Sequence, residues 1–320
     1  MNVKLLQYNI FLRPLFVNTN GDDYTEQRIN FILDNIGQYD ILCFQEFFQQ
    51  KSVKQICDKF KHKLTQLGFI YQIEGPKRRM NPIRILDSGL LVASKLPFIS
   101  QNIIEFKNHG YGNDYFIHKG FIHFQIQQGN TKLDIFNIHT QASYYHHNLS
   151  AQQQETDKYF VTRYKQLQQI KKFADKLTSQ NIIFVGDLNI DYFSSPYIER
   201  GQYFNFTSQF TTGPRTDPSF QYTKMLEILS GKYKIIDAFL ESSEPPVTFG
   251  DGSKQDDKII PVDTWLTYKP DYLSMQRLDY ILHYDFHVKV SCQLKKFEMN
   301  YQQIKFASDH YAIEADISLQ

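Results

Sequence analysis

Residues 181–189 read Asn-Ile-Ile-Phe-Val-Gly-Asp-Leu-Asn. The run Ile182-Ile183-Phe184-Val185 has the composition of a strand buried on both faces. It stops in Gly186-Asp187-Leu188-Asn189, where an Asp and an Asn two residues apart project to the same side. The same construction recurs along the chain. Tyr8-Asn9 follows Leu5-Leu6, Gln45-Glu46 follows residues 41–44, His139 follows residues 133–136 through Asn137-Ile138, and Ser308-Asp309-His310 precedes the last apolar run. One Asp or Asn at a strand end is ordinary turn chemistry. Five polar endings on core strands indicate one shared edge.

The segments around these endings alternate in type. Ile29, Ile32, Leu33 and Ile36 have helical spacing and predict a helix over 24–36, between strands at 3–10 and 40–45. A helix at 53–67 and a strand at 69–73 follow. Consecutive strands at 90–94, 103–107, 116–127 and 132–139 predict an antiparallel meander, with Gln128-Gly129-Asn130 as one of its turns. Phe160, Tyr164, Leu167, Ile170, Ala174 and Leu177 step by three and four along a long helix over 154–178. Strands at 277–283, 287–294 and 311–317 close the chain. Strand and helix blocks thus occur twice in the same order. The economical α/β architecture is a sandwich of two mixed β-sheets packed face to face with helices outside. It is expected to form a single domain over residues 1–320, with an irregular, aromatic-rich insertion at about 194–262.

Thirty-five basic side chains against 34 acidic ones leave a net charge of +1, so no global positive field marks a purely electrostatic nucleic-acid binder. No uncharged apolar run approaches the ~20 residues needed to span a bilayer, and the first residues turn polar too soon for a secretory leader. Cys43, Cys57 and Cys292 make an odd, sparse set, two of them in apolar or helical patterns where a thiol acts as a small hydrophobe. That usage suits a reducing compartment, and the expected location is cytoplasmic or at a membrane periphery.

Glu46 with Asn9 offers an oxygen pair for a hard cation such as Mg2+, and the chain has no Cys/His zinc spacing. His310 is a candidate general base if a carboxylate fixes its tautomer, and Asp279 is the candidate for that task. His139 and Asn189 are candidate donors to phosphoryl oxygens. Asp187 is a candidate for orienting water or sharing the metal. Together these groups are the inventory of metal-assisted phosphodiester hydrolysis.

In that order and over nearly the whole chain, Gln45-Glu46, Gly186-Asp187-Leu188-Asn189, Asp279-Tyr280-Ile281 and Ser308-Asp309-His310 resemble the signature of the deoxyribonuclease I-like endonuclease/exonuclease/phosphatase superfamily. The resemblance implies a four-layered α/β sandwich, metal at the Asn9 and Glu46 positions, and catalytic positions at His139, Asp187, Asn189, Asp279, Asp309 and His310. Within the superfamily, the neutral sphingomyelinases are similar also at Tyr8-Asn9-Ile10-Phe11, Ser88-Gly89-Leu90, Lys119-Gly120-Phe121 and His139-Thr140-Gln141-Ala142. Asp114 and Lys119 resemble an acidic and lysine pair near the active site of several of them, which implies a substrate-binding role. The implied reaction is Mg2+-dependent, or Mn2+-dependent, hydrolysis of sphingomyelin or a related sphingolipid at a bilayer surface, giving ceramide and phosphocholine. The chain departs from the bacterial members at Thr264-Trp265-Leu266, where they carry Thr-Trp-Asp.

Other readings compete. An endonuclease or exonuclease of the same superfamily would need a basic, aromatic-lined groove, and Lys77-Arg78-Arg79 is the compact basic cluster. The Trp-Cys-Asp-Arg pattern of inositol-polyphosphate phosphatases is replaced here by Arg277-Leu278-Asp279-Tyr280. A catalytically inactive binding module would have lost site residues, and all expected positions are filled. A substrate held in a bilayer also requires an apolar approach surface. Phe193, Tyr197, Tyr203, Phe204, Phe206, Phe210, Phe220 and Tyr222 either supply it or pack as a satellite core under a long loop.

Overall fold

The computed structural model describes residues 2–13, 21–77, 84–143, 155–193, 218–241, 245–255, 258–262, 265–266, 275–286 and 288–319. The chain begins with β1 (Asn2–Leu12), α1 (Thr25–Asp34), β2 (Ile41–Phe47), α2 (Lys54–Gln66), β3 (Tyr71–Glu74) and β4 (Leu91–Ser94). Next come β5 (Ser100–Glu105), β6 (Gly120–Gln128), β7 (Thr131–His139), α3 (Lys158–Ala174), β8 (Ile182–Asp187), α4 (Phe220–Ser230) and β9 (Ile235–Asp237). The last elements are β10 (Gly252–Gln255), β11 (Lys258–Pro261), β12 (Asp279–Tyr284), β13 (Val288–Lys295), β14 (Glu298–Tyr301), β15 (Ile304–Phe306) and β16 (Ala312–Leu319).

Two six-stranded sheets carry the fold, in the orders β13-β16-β1-β2-β4-β3 and β5-β6-β7-β8-β12-β9. Each has one parallel pair at its centre, β1 with β2 and β7 with β8, and in each pair a helix makes the crossover that parallel neighbours require. The remaining ladders of the two sheets are antiparallel. Strand periodicity sorts the side chains into layers. Val3, Leu5, Ile41, Cys43 and Val92 from the first sheet meet Ile122, Ile135, Val185 and Ile281 from the second in the central core. On the far side of the first sheet Leu6, Tyr8 and Phe44 pack under α1 and α2, and behind the second Phe136 and Phe184 pack under α3 and α4. The result is the four-layered α/β sandwich expected from the sequence.

One assignment changes. The strand expected at 90–94 as the start of the meander is β4, which pairs with β2 and β3 in the first sheet. The meander proper is β5-β6-β7. A four-residue run buried on both faces carries no mark of which sheet it joins: Val92 faces the central core, while Leu91 and Ala93 face the helices. The long helix is also shorter than expected. Asp157 caps its start by accepting from the amides of Tyr159 and Phe160. Within the expected insertion, Phe193 and Tyr222 are buried in the core behind the second sheet, and Phe220 is half-buried. The other aromatics named there lie outside the described residues.

The inward-facing rows of the sheets change character toward one end of the sandwich. On β1, Val3 and Leu5 give way to Gln7 and Asn9; on β2, Ile41 and Cys43 give way to Gln45; on β7, Leu133 and Ile135 give way to Asn137 and His139. Gln7 Nε2 donates to Gln45 Oε1 at 2.8 Å and to Asp279 Oδ1 at 2.7 Å. Gln45 Nε2 donates to Asn137 Oδ1 at 2.7 Å, and Asn137 Nδ2 reaches the Phe44 and Leu91 carbonyls at 3.1 and 3.2 Å. A seam of buried amides thus ties the sheets together next to the polar edge, where apolar packing ends.

Candidate functional site

Sheet register brings the polar strand endings together. His139 pairs with Asp187 across β7 and β8, Asp187 pairs with Asp279 across β8 and β12, and Asn9 pairs with Gln45 across β1 and β2. Glu46 follows in sequence, and its side chain is turned toward the site where the ladder of β1 and β2 slips between Asn9 and Leu12. Phe11 and Glu46 both take positive φ there, 52° and 55°, a backbone conformation that costs energy in non-glycine residues and persists only when neighbours enforce it. The enforcing group is Arg28 of α1, fully buried, whose guanidinium donates to the Ile10, Phe11 and Ala307 carbonyls. Asn189 is a third such residue, at φ 50°, held where its amide N–H bonds Asp187 Oδ1 at 3.0 Å.

Glu46, His139 and Asp187 each present one ligand atom, all within 4.8 Å of one another, and all three residues are buried. Two carboxylates and an imidazole suit a hard or borderline divalent cation. His139 Nδ1 is buried with no hydrogen-bond partner among the described residues. An orphaned polar atom inside a carboxylate cluster is what a site built around a charged ligand leaves behind. Asn9 stands beside the cluster: its Nδ2 donates to Asp187 Oδ2 at 3.0 Å and lies 3.4 Å from His310 Nε2, while its Oδ1 accepts from the Phe11 amide at 3.2 Å.

His310 Nδ1 lies 2.8 Å from Asp279 Oδ2, both groups buried, and its Nε2 lies 3.8 Å from Asp187 Oδ2. The Phe249 ring backs the imidazole at 5.0 Å between centroids, and Thr248 Oγ1 accepts from the Leu278 and Asp279 amides. Burial alone would lower the affinity of His310 for a proton, but the Asp279 carboxylate outweighs it and lifts the imidazole to about 10. For His139, burial and then the Lys119 ammonium act in the same direction, so it stays neutral well below the ordinary histidine range. Burial raises the Asp187 carboxyl against the pull of His310, and raises Asp309 against the pull of Arg13. At Glu46 burial is overcome by Arg13, and the carboxyl is held below its usual range.

Lys119 Nζ lies 2.9 Å from Asp114 Oδ2, 2.5 Å from the Thr140 carbonyl and 3.1 Å from His139 Nε2. An ammonium has three protons, so these contacts engage all of them. Donation to His139 Nε2 leaves the proton of the neutral ring on Nδ1. Asp114 also accepts from the Ala142 amide at 2.7 Å, and Asn189 Nδ2 donates to the Thr140 carbonyl at 3.2 Å. Asp309 accepts from Arg13 Nη2 at 3.3 Å. The candidate catalytic, metal-binding and substrate-binding residues therefore lie in one connected network.

Arg13, Gln7 and Thr248 also belong to that network and stand in no motif of the sequence, while Gln45 and Asn137 enter it as members of the polar strand endings. Arg13 donates through Nε and Nη2 to Glu46. Its sequence signal was its place directly after the strand that ends in the Asn9 segment. Of the basic cluster at 77–79, Lys77 is ion-paired with Glu74 at 2.7 Å, and the two arginines lie outside the described residues. Among the described residues no helix is long and apolar enough to cross a membrane.

Comparison with known proteins agrees with this picture. Residues 6–310 match the model of the Endonuclease/Exonuclease/phosphatase family. A sphingomyelinase of Dictyostelium discoideum is 29% identical over 327 residues, covering 91% of this chain and 66% of its own length. A sphingomyelinase C of Leptospira interrogans is 25% identical over 203 residues, covering 59% of this chain and 34% of its own length. The chain thus spans just under two thirds of the first relative and about one third of the second. Among solved structures, sphingomyelinase C from Streptomyces griseocarneus aligns with a TM-score of 0.65 at 19% identity, covering 99% of both chains. A Staphylococcus aureus beta toxin with bound magnesium ions aligns with a TM-score of 0.64 at 18% identity, over 98% of this chain and 99% of its own.

Proposed function

The chain belongs to the endonuclease/exonuclease/phosphatase family, and from that premise we propose that it hydrolyses sphingomyelin, or a closely related sphingolipid, to ceramide and phosphocholine in a divalent-cation-dependent reaction. The observation that carries this reading is the Asp279–His310 pair beside the buried Glu46, His139 and Asp187 cluster. Relatives of both kinds, by sequence and by fold, carry the sphingomyelinase name and support the choice of substrate.

Glu46 and Asp187, with Asn9 beside them, would hold Mg2+ or Mn2+. When bound, the cation supplies electrophilic polarisation of the phosphodiester and charge neutralisation at the departing oxygen. Asp279 accepts the Nδ1 proton of His310, and with a cation held at Glu46 and Asp187 to offset the carboxylates that otherwise keep the ring protonated, Nε2 is left to act as the base. His310 takes a proton from water as the water oxygen bonds to phosphorus. The bond from phosphorus to the ceramide oxygen breaks on the opposite side; that oxygen takes a proton from solvent to leave as the alcohol, and His310 returns its own proton to solvent. His139, through Nδ1, and Asn189, through its remaining amide proton, donate to the phosphoryl oxygens as charge builds. Lys119 had been expected to contact substrate. With its three protons engaged, we assign it instead to holding His139 in the Nδ1-protonated form, with Asp114 holding Lys119.

The test is purified protein with Mg2+ against sphingomyelin in mixed micelles, phosphatidylcholine and plasmid DNA in parallel, each repeated with EDTA. Chelator-sensitive release of phosphocholine from sphingomyelin is expected. Cleavage of DNA with no turnover of sphingomyelin would overturn the substrate assignment.

A further inference from the structure

A lipid-hydrolysing site must be brought to its bilayer, and the following inference rests on the sphingolipid reading above. The aromatic insertion, one candidate for this role, is represented among the described residues by buried or half-buried side chains. Exposed apolar groups gather elsewhere. Of the nine large apolar side chains exposed among the described residues, four lie on two adjoining segments: Ile85 (41% exposed), Tyr111 (45%), Tyr115 (43%) and Phe116 (44%). The Ile85 and Leu86 amides both donate to the Phe116 carbonyl at 3.1 Å, Leu86 bridges Ile117, and the Tyr115 and Phe116 rings meet edge to face at 5.7 Å.

These side chains are held outward. Leu86 and Ile117 pack with Phe48 in a small core of their own beneath the 3-10 turn Gly112–Phe116. The same turn is fastened to the site from below. Gln141 accepts from the Tyr111 amide at 2.7 Å and donates to the Tyr111 carbonyl at 3.2 Å, and Asp114 bonds both the Ala142 amide and Lys119. Lys119 in turn touches His139. The exposed ammonium of Lys158 lies 5.7 Å from the centre of the Tyr111 ring.

We propose that Tyr111, the turn Gly112–Phe116 and Ile85 form the surface that seats on the membrane bearing the substrate. Two features select a bilayer interface as the occupant. The exposed groups are mainly aromatic, and two are tyrosines, which suit a boundary that is apolar on one side and wet on the other. A lysine flanks them as it would flank a phosphate-bearing surface. The turn also carries Asp114, so its contact with lipid lies one ion pair from Lys119 and two contacts from His139.

The experiment is co-sedimentation with phosphatidylcholine–sphingomyelin vesicles in EDTA, comparing wild type with the double variant Tyr115→Ser, Phe116→Ser. Both rings are exposed, so the thermal midpoint should be unchanged. Removing two half-exposed aromatic surfaces from the interface should weaken partitioning roughly ten-fold or more. With Mg2+, turnover on vesicles should fall in parallel, while turnover of a short-chain sphingomyelin dissolved as monomers should stay within about two-fold of wild type. Equal partitioning of the two proteins would overturn the proposal, as would loss of a protein–protein complex with vesicle binding intact. Because partitioning is read without turnover, a protein that binds vesicles through this turn yet hydrolyses no sphingomyelin would refute the substrate reading and leave the docking surface standing.

Discussion

Arg13→Met isolates one interaction whose removal should change metal affinity and stability in opposite senses. The guanidinium donates to Glu46 through Nε and Nη2 and to Asp309 through Nη2 at 3.3 Å, while its carbon lies 4.3 Å from the centre of the Phe11 ring. Methionine keeps an apolar stem over that ring and deletes the charge. The Arg13 side chain is 29% exposed, but Glu46 and Asp309 are only 10% and 2% exposed, so solvent screens the pair incompletely. A charge-assisted fork of this kind contributes about 1.5–3 kcal/mol, and its loss leaves two carboxylates without their cation. Metal-free Arg13→Met should therefore be less stable than wild type by about 2 kcal/mol in urea unfolding with EDTA present. A divalent cation that takes the Glu46 carboxylate must first displace the guanidinium. The same variant should thus bind Mg2+ roughly ten- to a hundred-fold more tightly by titration calorimetry, at about 1.4 kcal/mol per decade. Unchanged or weaker Mg2+ binding would refute the view that Arg13 stands in for the metal at Glu46.

His310→Ala should lower turnover by roughly 10² to 10⁴, and an enzyme of normal activity would remove His310 from the mechanism. In metal-free protein the His310 proton is held to about 10 against an ordinary value of 6.5, so its stabilising contribution is fully present below pH 6.5 and is lost as pH rises through about 10. Asp279→Asn should flatten that alkaline slope in unfolding free energy by a few kcal/mol, and an NMR titration should find the His310 value displaced downward; an unmoved titration would contradict the pairing. Gly186→Ala would place a Cβ 2.0 Å from the Ile138 carbonyl oxygen at φ +142°, and should cost at least about 3 kcal/mol in denaturant or prevent folding. Asn137→Ala would strip a hydrogen bond each from Gln45, the Phe44 carbonyl and the Leu91 carbonyl, with an expected loss of about 2–4 kcal/mol by thermal or urea unfolding.

The polar strand endings were legible because a buried run such as Ile182–Val185 has no structural need to end in Gly-Asp-Leu-Asn. The pairing of those strands was not. Periodicity states which residues of β4 are buried, but a strand buried on both faces fits either sheet, and only the ladder with β2 decides. Gln45 and Asn137 were legible only as members of polar strand endings and Gln7 not at all, since a buried amide whose partners lie at sequence separations of 38, 92 and 272 has no local signature of its bonding. Lys119 and Asp114 were legible as a pair, while the saturation of the ammonium by three acceptors required the coordinates. Of the two readings left open for the insertion aromatics, the satellite core holds where it can be checked: Tyr222, on the inner face of α4, gives its hydroxyl to Asp237 at 2.9 Å and is buried behind the second sheet. Aromatic abundance marks apolar area and does not say which face it takes.

The amide seam between the sheets has a consequence for how the molecule responds to acid and base. Gln7, Gln45 and Asn137 have no proton to gain or lose over the range in which imidazoles and carboxylates ionise. The joint that sets the distance between the strands bearing Asn9 and those bearing His139 and Asp187 therefore keeps the same bonding while the pocket beside it changes charge. Inactivation at mild pH extremes should then be a change of ionisation on an intact frame, reversed at once on neutralisation and without the lag of refolding.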